Sequence, residues 1–556
     1  MPMPKASGAL EEKLDAYVAA YMPAMNAPGL TVGLTDASRT LRAVGYGYAN
    51  VELQTAVEPT HLFQIGSITK SFVALVLLQL RDEGKLDLHK AVLDYLPWLP
   101  VTEEFGPITI HHLLTHTSGL PDNQSIFSTD PSARLVQGFK PGEHFHYCNA
   151  GFDILGMLAT KLDGRIWPDC VRRRILDPLQ MAATQGVITT SARNRFATGY
   201  EPYWDDQIYP RQGRLAPAPN LVMDDTAGCI ASIPADMAQY MRMLLNRGHG
   251  PQGRIVSEES FALFSTPYIK AEEFSPTASY GYGIAVDTLD GHKILRHTGG
   301  MVSFASSIHV DLDGGVAAFA SINAMQGYRP TAVTEYAVRL LRAQHEGKPL
   351  PELPVIADPL EIDNAAEYEG VFTLNNGHKL VFKAEGKRLL IVVPNNPMPL
   401  ILQHAGGDSF LLAAEGIQMQ YTFEFGRKES HEGSVSAEKE PGASRSKSPV
   451  VEVSYGPEWY TNETYDGPKS FHVPEEYSAY AGQYRSDSAW GGDARVYVLK
   501  DRLMFSGAPL LPIGGGLFRA GDEPWTPDTV EFHHIVEGKA RLMKVSGLDF
   551  WRIEVG

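Results

Sequence analysis

The chain reads as an α+β unit followed by two small antiparallel β modules. Three observations predict this. Strand-like stretches stand at both ends of residues 10–345, with helical patterns between them. A proline-rich run at 348–359, KPLPELPVIADP, interrupts that pattern. Beyond it the sequence changes to short alternating strands, the mark of a sandwich or barrel.

In chain order, residues 10–25 space their apolar side chains as one face of a helix. Residues 29–34 and 41–48 are short apolar stretches around turn residues and read as strands. Residues 71–81 are apolar on all sides, which predicts a helix buried at the centre of the unit. Helical patterns follow at 108–114, 152–162 and 234–245 and form the insertion. Strands return at 283–288, 293–296, 306–310 and 315–322, and a last helix runs over 332–345. The expected division is therefore a catalytic unit over 1–347, a linker over 348–361, a first barrel over 362–460 and a second over 475–556. Strands of the first barrel are expected at 379–383, 388–393, 400–403, 410–413, 418–425 and 450–455. Residues 427–449 are poor in apolar groups and rich in Ser, Glu and Lys, and read as a disordered loop. The two modules echo one another. Tyr368-Glu369-Gly370-Val371-Phe372 matches Tyr480-Ala481-Gly482-Gln483-Tyr484, and Lys387-Arg388-Leu389 matches Asp501-Arg502-Leu503, each before an apolar strand. Offsets of 112 and 114 residues suggest a duplicated barrel.

Composition narrows the function classes. With 556 residues the chain has ample material for several cores, and 44% hydrophobic residues argue against disorder. A formal net charge of −17 disfavours nucleic acid and anionic membrane as partners. Cys148, Cys170 and Cys229 are too few for a disulfide framework. The longest apolar run, 72–78, is far short of the roughly 20 residues a membrane span needs. The opening residues show neither an apolar signal core nor a cleavage pattern, so a cytoplasmic location is expected. His111, His112, His144 and His146 lack an H-E-x-x-H arrangement, so no zinc site is expected.

Three motifs carry the chemistry. In Ser67-Ile68-Thr69-Lys70 the serine and lysine stand at i and i+3, where side chains of one helical turn meet. Burial of the lysine would depress its pKa and let it take the serine proton. The same pattern recurs at Ser436–Lys439 and Ser444–Lys447, but only Ser67 opens an apolar helix. In Tyr147-Cys148-Asn149 the outer residues project to one side of an extended segment, where a phenol can shuttle protons and an amide can hold a substrate. The pattern also occurs at Tyr48–Asn50 and Tyr460–Asn462. Cys148 points the other way and reads as a packing residue. In His297-Thr298-Gly299-Gly300, after strand 293–296, small residues allow a substrate backbone to come close, and a backbone N–H there could serve an oxyanion. A hairpin turn is the plainer reading of those four residues. The glycine run 514–516 reads either as a barrel hairpin or as a loop able to reach a neighbouring cleft.

The order Ser67, Tyr147, His297 resembles the serine β-lactamase and penicillin-recognising hydrolase superfamily. Y-x-N as the second motif is similar to the class C β-lactamase branch, which also holds DD-peptidases, esterases and D-aminopeptidases. The stretch LLTHTSGL at 113–120, Pro141-Gly142 and AGCIAS at 227–232 fit that branch. The resemblance implies a class C β-lactamase-like α+β domain with a helical insertion, and a lipocalin-like first barrel. It implies that Ser67 is acylated, Lys70 is its base partner and Tyr147 shuttles protons. It further implies substrate contacts from Asn149, His297, Thr298 and Gly299, and an oxyanion hole from the N–H groups of Ser67 and Gly300. His297 replaces the usual lysine and, being only partly charged, puts efficient β-lactam hydrolysis in doubt. The H-T-G motif and the two C-terminal modules resemble the D-aminopeptidases. The expected activity is hydrolysis of a small-molecule amide or peptide without a cofactor. A carboxylesterase, a DD-carboxypeptidase or weak β-lactamase, and a catalytically silent binding protein stay open, as does a homodimer.

Overall fold

A computed structural model describes residues 1–122, 126, 134–204, 208, 210–325, 329–393, 398–414, 417, 419–428 and 448–553. It divides into two compact units, one of residues 1–201 and 215–355, the other of residues 202–214 and 356–556.

The first unit is built on an antiparallel sheet. Its strands in chain order are β1 (Gly29–Asp36), β2 (Thr40–Asn50), β3 (Thr55–Ala56), β4 (Ile269–Lys270), β5 (Ser279–Tyr280), β6 (Ala285–Leu289), β7 (His292–Gly300), β8 (Ala305–Asp311) and β9 (Val316–Ile322). They lie side by side as β4-β5-β6-β7-β8-β9-β1-β2-β3. The N-terminal strands thus complete a sheet begun by the C-terminal ones, with β1 paired to β9 from Leu30↔Ile322 to Asp36↔Val316. Both β8 and β9 are buried at every residue, so the sheet is covered on both faces. Helices α1 (Ala9–Ala24), α4 (Pro234–Leu245) and α5 (Thr331–His345) supply cover. Between β3 and β4 lies the helical insertion, with α2 (Thr69–Asp82) and α3 (Asn149–Asp163) packed together. Residues 72–78 of α2 are all buried, as their unbroken apolar run predicts, and Thr69, Lys70 and Ser71 are buried with them. Among the described residues, no helix is long and apolar enough to cross a membrane.

Two expectations change here. The segment read as strand 293–296 runs on to Gly300, so the H-T-G residues lie inside β7 and not in a turn after it. Residues 202–214 interrupt the first unit in sequence yet belong to the second. There Ile208 bridges Met419 and joins the apolar core of the first barrel, and the Arg211 N–H donates to Gln403 Oε1 at 2.8 Å.

The second unit holds two closed antiparallel barrels of eight strands each among the described residues. The first runs from Gly370–Thr373 to Glu458–Thr461 and closes by pairing Thr373 with Thr461. The second runs from Gly482–Arg485 to Leu548–Ile553 and closes by pairing Gln483 with Ile553. The expected loop 427–449 lies mostly outside the described residues. Its described flanks are paired, since Arg427 ends the strand Phe423–Arg427 and the Lys428 N–H donates to Pro449 O at 3.0 Å. Gly514–Gly516 form the turn of a hairpin between Ala508–Gly514 and Leu517–Ala520.

Candidate active site

Ser67 lies in a single 3-10 turn, Gly66–Ile68, that runs directly into α2. The turn is fixed on two sides. Ile65 donates its N–H to Ile230 O at 3.0 Å, and Ser306 Oγ of β8 donates to Ile65 O at 2.8 Å. Gly66 takes φ +53°, and a Cβ there would stand 2.8 Å from Gly300 O and 2.9 Å from Gly300 N. A side chain at Gly299 would stand 1.9 Å from Ile65 O. The glycines of the third motif are therefore what let β7 lie against the turn that carries Ser67. This contact brings the backbones of the Ser67 turn and Gly300 together, where an oxyanion hole is expected.

Lys70 is fully buried, and its side chain folds back over one helical turn. Its Nζ donates to Ser67 Oγ at 2.9 Å, to Asn149 Oδ1 at 2.7 Å and to Ala227 O at 2.9 Å. Three acceptors thus match the three N–H groups of an ammonium. Loss of water pulls the Lys70 pKa down to about 8, while the carboxylates of Asp122 and Asp153 resist the shift.

Cys148 is extended, at φ −138° and ψ 109°, so Tyr147 and Asn149 emerge on the same side. Cys148 is buried and caps α3. Its thiol donates to Pro121 O at 3.2 Å and accepts the Gly151 N–H at 3.3 Å. The Tyr147 ring centroid is 4.8 Å from Lys70 Nζ, and its phenol is hydrogen-bonded to Ser67. Burial pushes the phenol above its ordinary pKa, so it stays protonated at neutral pH. Asn149 accepts from Lys70 and gives both its backbone N–H and its Nδ2 to Asp122 Oδ1, at 2.8 and 3.0 Å. Its amide is oriented by these partners and holds the lysine.

The structure brings Ser67, Lys70, Tyr147 and Asn149 together. Thr298 and Gly300 are half-buried on β7, and Gly299 packs inward. His297 is placed differently from expectation. It is 1% exposed, and its ring lies behind Tyr147 at 6.4 Å between centroids. Nδ1 pairs with Thr298 O at 2.6 Å, and a carbonyl can only accept, so Nδ1 carries the proton. Nε2 then accepts from Tyr280 OH at 2.9 Å. Burial and the charge of Lys70 pull its pKa down to about 3. The imidazole is thus neutral, where the sequence had suggested partial charge.

Four further residues bear on the site. Asp153 lies one turn along α3 from Asn149, and its Oδ1 accepts the Ala227 N–H at 2.9 Å. Burial and the nearby Asp225 raise its pKa well above the carboxylate range. The i,i+4 spacing from Asn149 could have marked it. Ala227 lies in the 227–232 stretch, which by itself gives no hint that its carbonyl holds Lys70. The Arg329 guanidinium reaches Gly300, where a Cβ would stand 2.3 Å from it, and no sequence pattern points to this. His116 lies within LLTHTSGL and packs under Tyr147.

The family model described as Beta-lactamase matches residues 14–343. Penicillin-binding protein 4* of Bacillus subtilis (strain 168) is 24% identical over 414 residues, spanning 68% of this chain and 86% of that protein. Penicillin-binding protein 4 of Amycolatopsis lactamdurans is 28% identical over 332 residues, 55% of this chain and 82% of the relative. Among solved structures, the octameric penicillin-binding protein homologue from Pyrococcus abyssi aligns with a TM-score of 0.55 and 26% identity, covering 75% of this chain and 96% of that one.

Proposed function

Because this chain belongs to the beta-lactamase family, a serine hydrolase family, we propose that it hydrolyses small amide or peptide substrates through an acyl-enzyme on Ser67, with a preference for an N-terminal D-amino acid. The observation that carries the reading is the buried Lys70 Nζ at 2.9 Å from Ser67 Oγ, with Tyr147 against both.

The chemistry follows from the hydrogen bonds. When Lys70 loses one proton, it keeps two N–H donors for Asn149 Oδ1 and Ala227 O, and its lone pair turns to the Ser67 hydroxyl. Ser67 Oγ attacks the substrate carbonyl carbon as its proton passes to Lys70. The oxyanion that forms is held by the N–H groups of Ser67 and Gly300; one such donor is typically worth about 10²–10³ in rate. The carbon–nitrogen bond breaks, and the leaving amine takes a proton relayed by the neutral Tyr147 phenol. Water then adds to the ester with Lys70 and Tyr147 as the base pair, the acid departs, and Ser67 regains its hydrogen.

Two features support an amide substrate over a β-lactam. The third motif offers a neutral, inward-facing imidazole in place of a charged lysine. The two closed barrels reproduce the module order that the D-aminopeptidase resemblance implies. Initial rates on D-alanyl and L-alanyl p-nitroanilide, with Ser67→Ala as blank, test the reading. Turnover of the D form alone is expected. Turnover of p-nitrophenyl esters with neither anilide cleaved would replace it by a carboxylesterase.

A further inference from the structure

His116 has no assigned role, yet it touches three consecutive residues centred on Tyr147. Its backbone carbonyl accepts the His146 N–H at 2.8 Å. Its Nδ1 accepts the Cys148 N–H at 3.0 Å. Its ring lies beneath the Tyr147 ring, with centroids 4.3 Å apart and planes tilted by 31°. Phe152 and Tyr280 hold the imidazole on other sides, at 5.0 and 4.9 Å. Two features indicate a constraint beyond packing. His116 takes φ +57°, a left-handed conformation that few non-glycine residues adopt. It is also 1% exposed, with Nε2 buried and lacking a hydrogen-bond partner among the described residues. Because Nδ1 accepts from a backbone N–H, the neutral ring must carry its proton on Nε2, and a buried N–H without a partner is unfavourable. A leucine or phenylalanine would fill the volume without that penalty, but it would lose the acceptor that fixes the Cys148 peptide.

From this clamp we infer that His116 is a positioning residue: it sets the place of the Tyr147 phenol relative to Ser67 and Lys70. The inference rests on the proposed role of Tyr147 as proton shuttle. Burial above all, and then the charge of Lys70, holds the His116 ring neutral; the other titratable groups around it are His297, His146, Tyr147 and Tyr280. Nδ1 therefore remains an acceptor, and the clamp stays closed across the working pH range. A displacement of about 1 Å at such a group can reduce a rate by about 10².

The test is a double-mutant cycle on the full chain, read as the rate at which a fluorophosphonate labels Ser67. His116→Phe keeps a ring and removes the acceptor. His116→Asn keeps an acceptor, tolerates the left-handed backbone and removes the ring. Each is made alone and with Tyr147→Phe. Each single variant is expected to slow labelling by about 10–100-fold with KM for the anilide little changed. In the Tyr147→Phe background neither should slow it further. Equal slowing in both backgrounds would overturn the inference, as would wild-type rates in both single variants. His116→Asn carries the test if His116→Phe fails to fold, judged by circular dichroism. Unfolding of both would assign His116 a structural role only and so overturn the inference too. Labelling that survives Ser67→Ala would instead remove the reading of Ser67 as nucleophile, a distinct outcome.

Discussion

At the scale of single residues, Lys70 sets the pH dependence. The neutral amine is the competent base, and burial brings its pKa down to about 8. Below that pH the ammonium predominates, so kcat/KM should rise with pH and level off above about 8. Removing the base altogether, as in Lys70→Ala, should lower Ser67 acylation by about 10²–10⁴. A variant that keeps its rate would mean that Tyr147 acts alone. Asp153 gives a second, signed prediction. Its negative charge raises the Lys70 pKa, so Asp153→Asn should move the rising limb to lower pH. The asparagine can still accept the Ala227 N–H, which keeps the local hydrogen bonding. A limb that stays in place or moves to higher pH counts against this coupling. Ser67 and Lys70 were legible in sequence because i,i+3 spacing puts them on one helical turn, and Tyr147 because it stands two residues from Asn149 in the second of three ordered motifs. Asp122, Ala227 and Arg329 were not, because they stand 52, 157 and 259 residues beyond Lys70 in no local pattern, and only the fold brings them to the site.

At the scale of elements, the fit of β7 against the Ser67 turn is the sensitive contact. In Gly299→Ala the new Cβ would stand 1.9 Å from Ile65 O and 2.4 Å from Ser306 Oγ. A backbone oxygen cannot turn away as a long side chain can, so the strand or the turn must move. Overpacking of this kind costs typically about 1–3 kcal/mol. Thermal melting should show that loss, together with at least a tenfold drop in Ser67 labelling. Melting lowered with labelling unchanged would mean that the turn does not depend on β7. The end of β7 is hidden in the sequence for a related reason, the same two glycines. Gly299 and Gly300 are poor strand formers and signal a turn locally, yet pairing with Ser306 and Ala305 keeps them in the ladder. Tertiary packing overrides local preference where the backbone must come closest. His297 shows the complementary effect. Its neutrality comes from burial beside Tyr280 and Lys70, which no neighbour in sequence announces.

At the scale of the whole molecule, the duplication seen in sequence has a structural counterpart. Tyr368 ends a short 3-10 turn before Gly370–Thr373, and Tyr480 ends a short helix before Gly482–Arg485. These strands open the two barrels, so a repeated turn-and-strand signature was enough to find both. The segment 202–214 escaped notice because its allegiance depends on contacts with residues 403 and 419, about 200 positions away. Each unit has its own apolar core, and that independence has a measurable consequence. Phe425 packs its ring against Tyr368, Phe372, Phe382 and Phe410, with centroids 4.9–5.8 Å apart. Phe425→Ala leaves a cavity among four rings and should destabilise the second unit by about 3–5 kcal/mol. The core that supports Ser67, built from residues such as Phe72, Leu75 and Phe152, shares no side chain with it among the described residues. Calorimetry should therefore show one transition shifted down and another in place, with Ser67 still labelled below the first. A single transition that moves as a whole, with labelling lost alongside it, would show that the two units unfold as one.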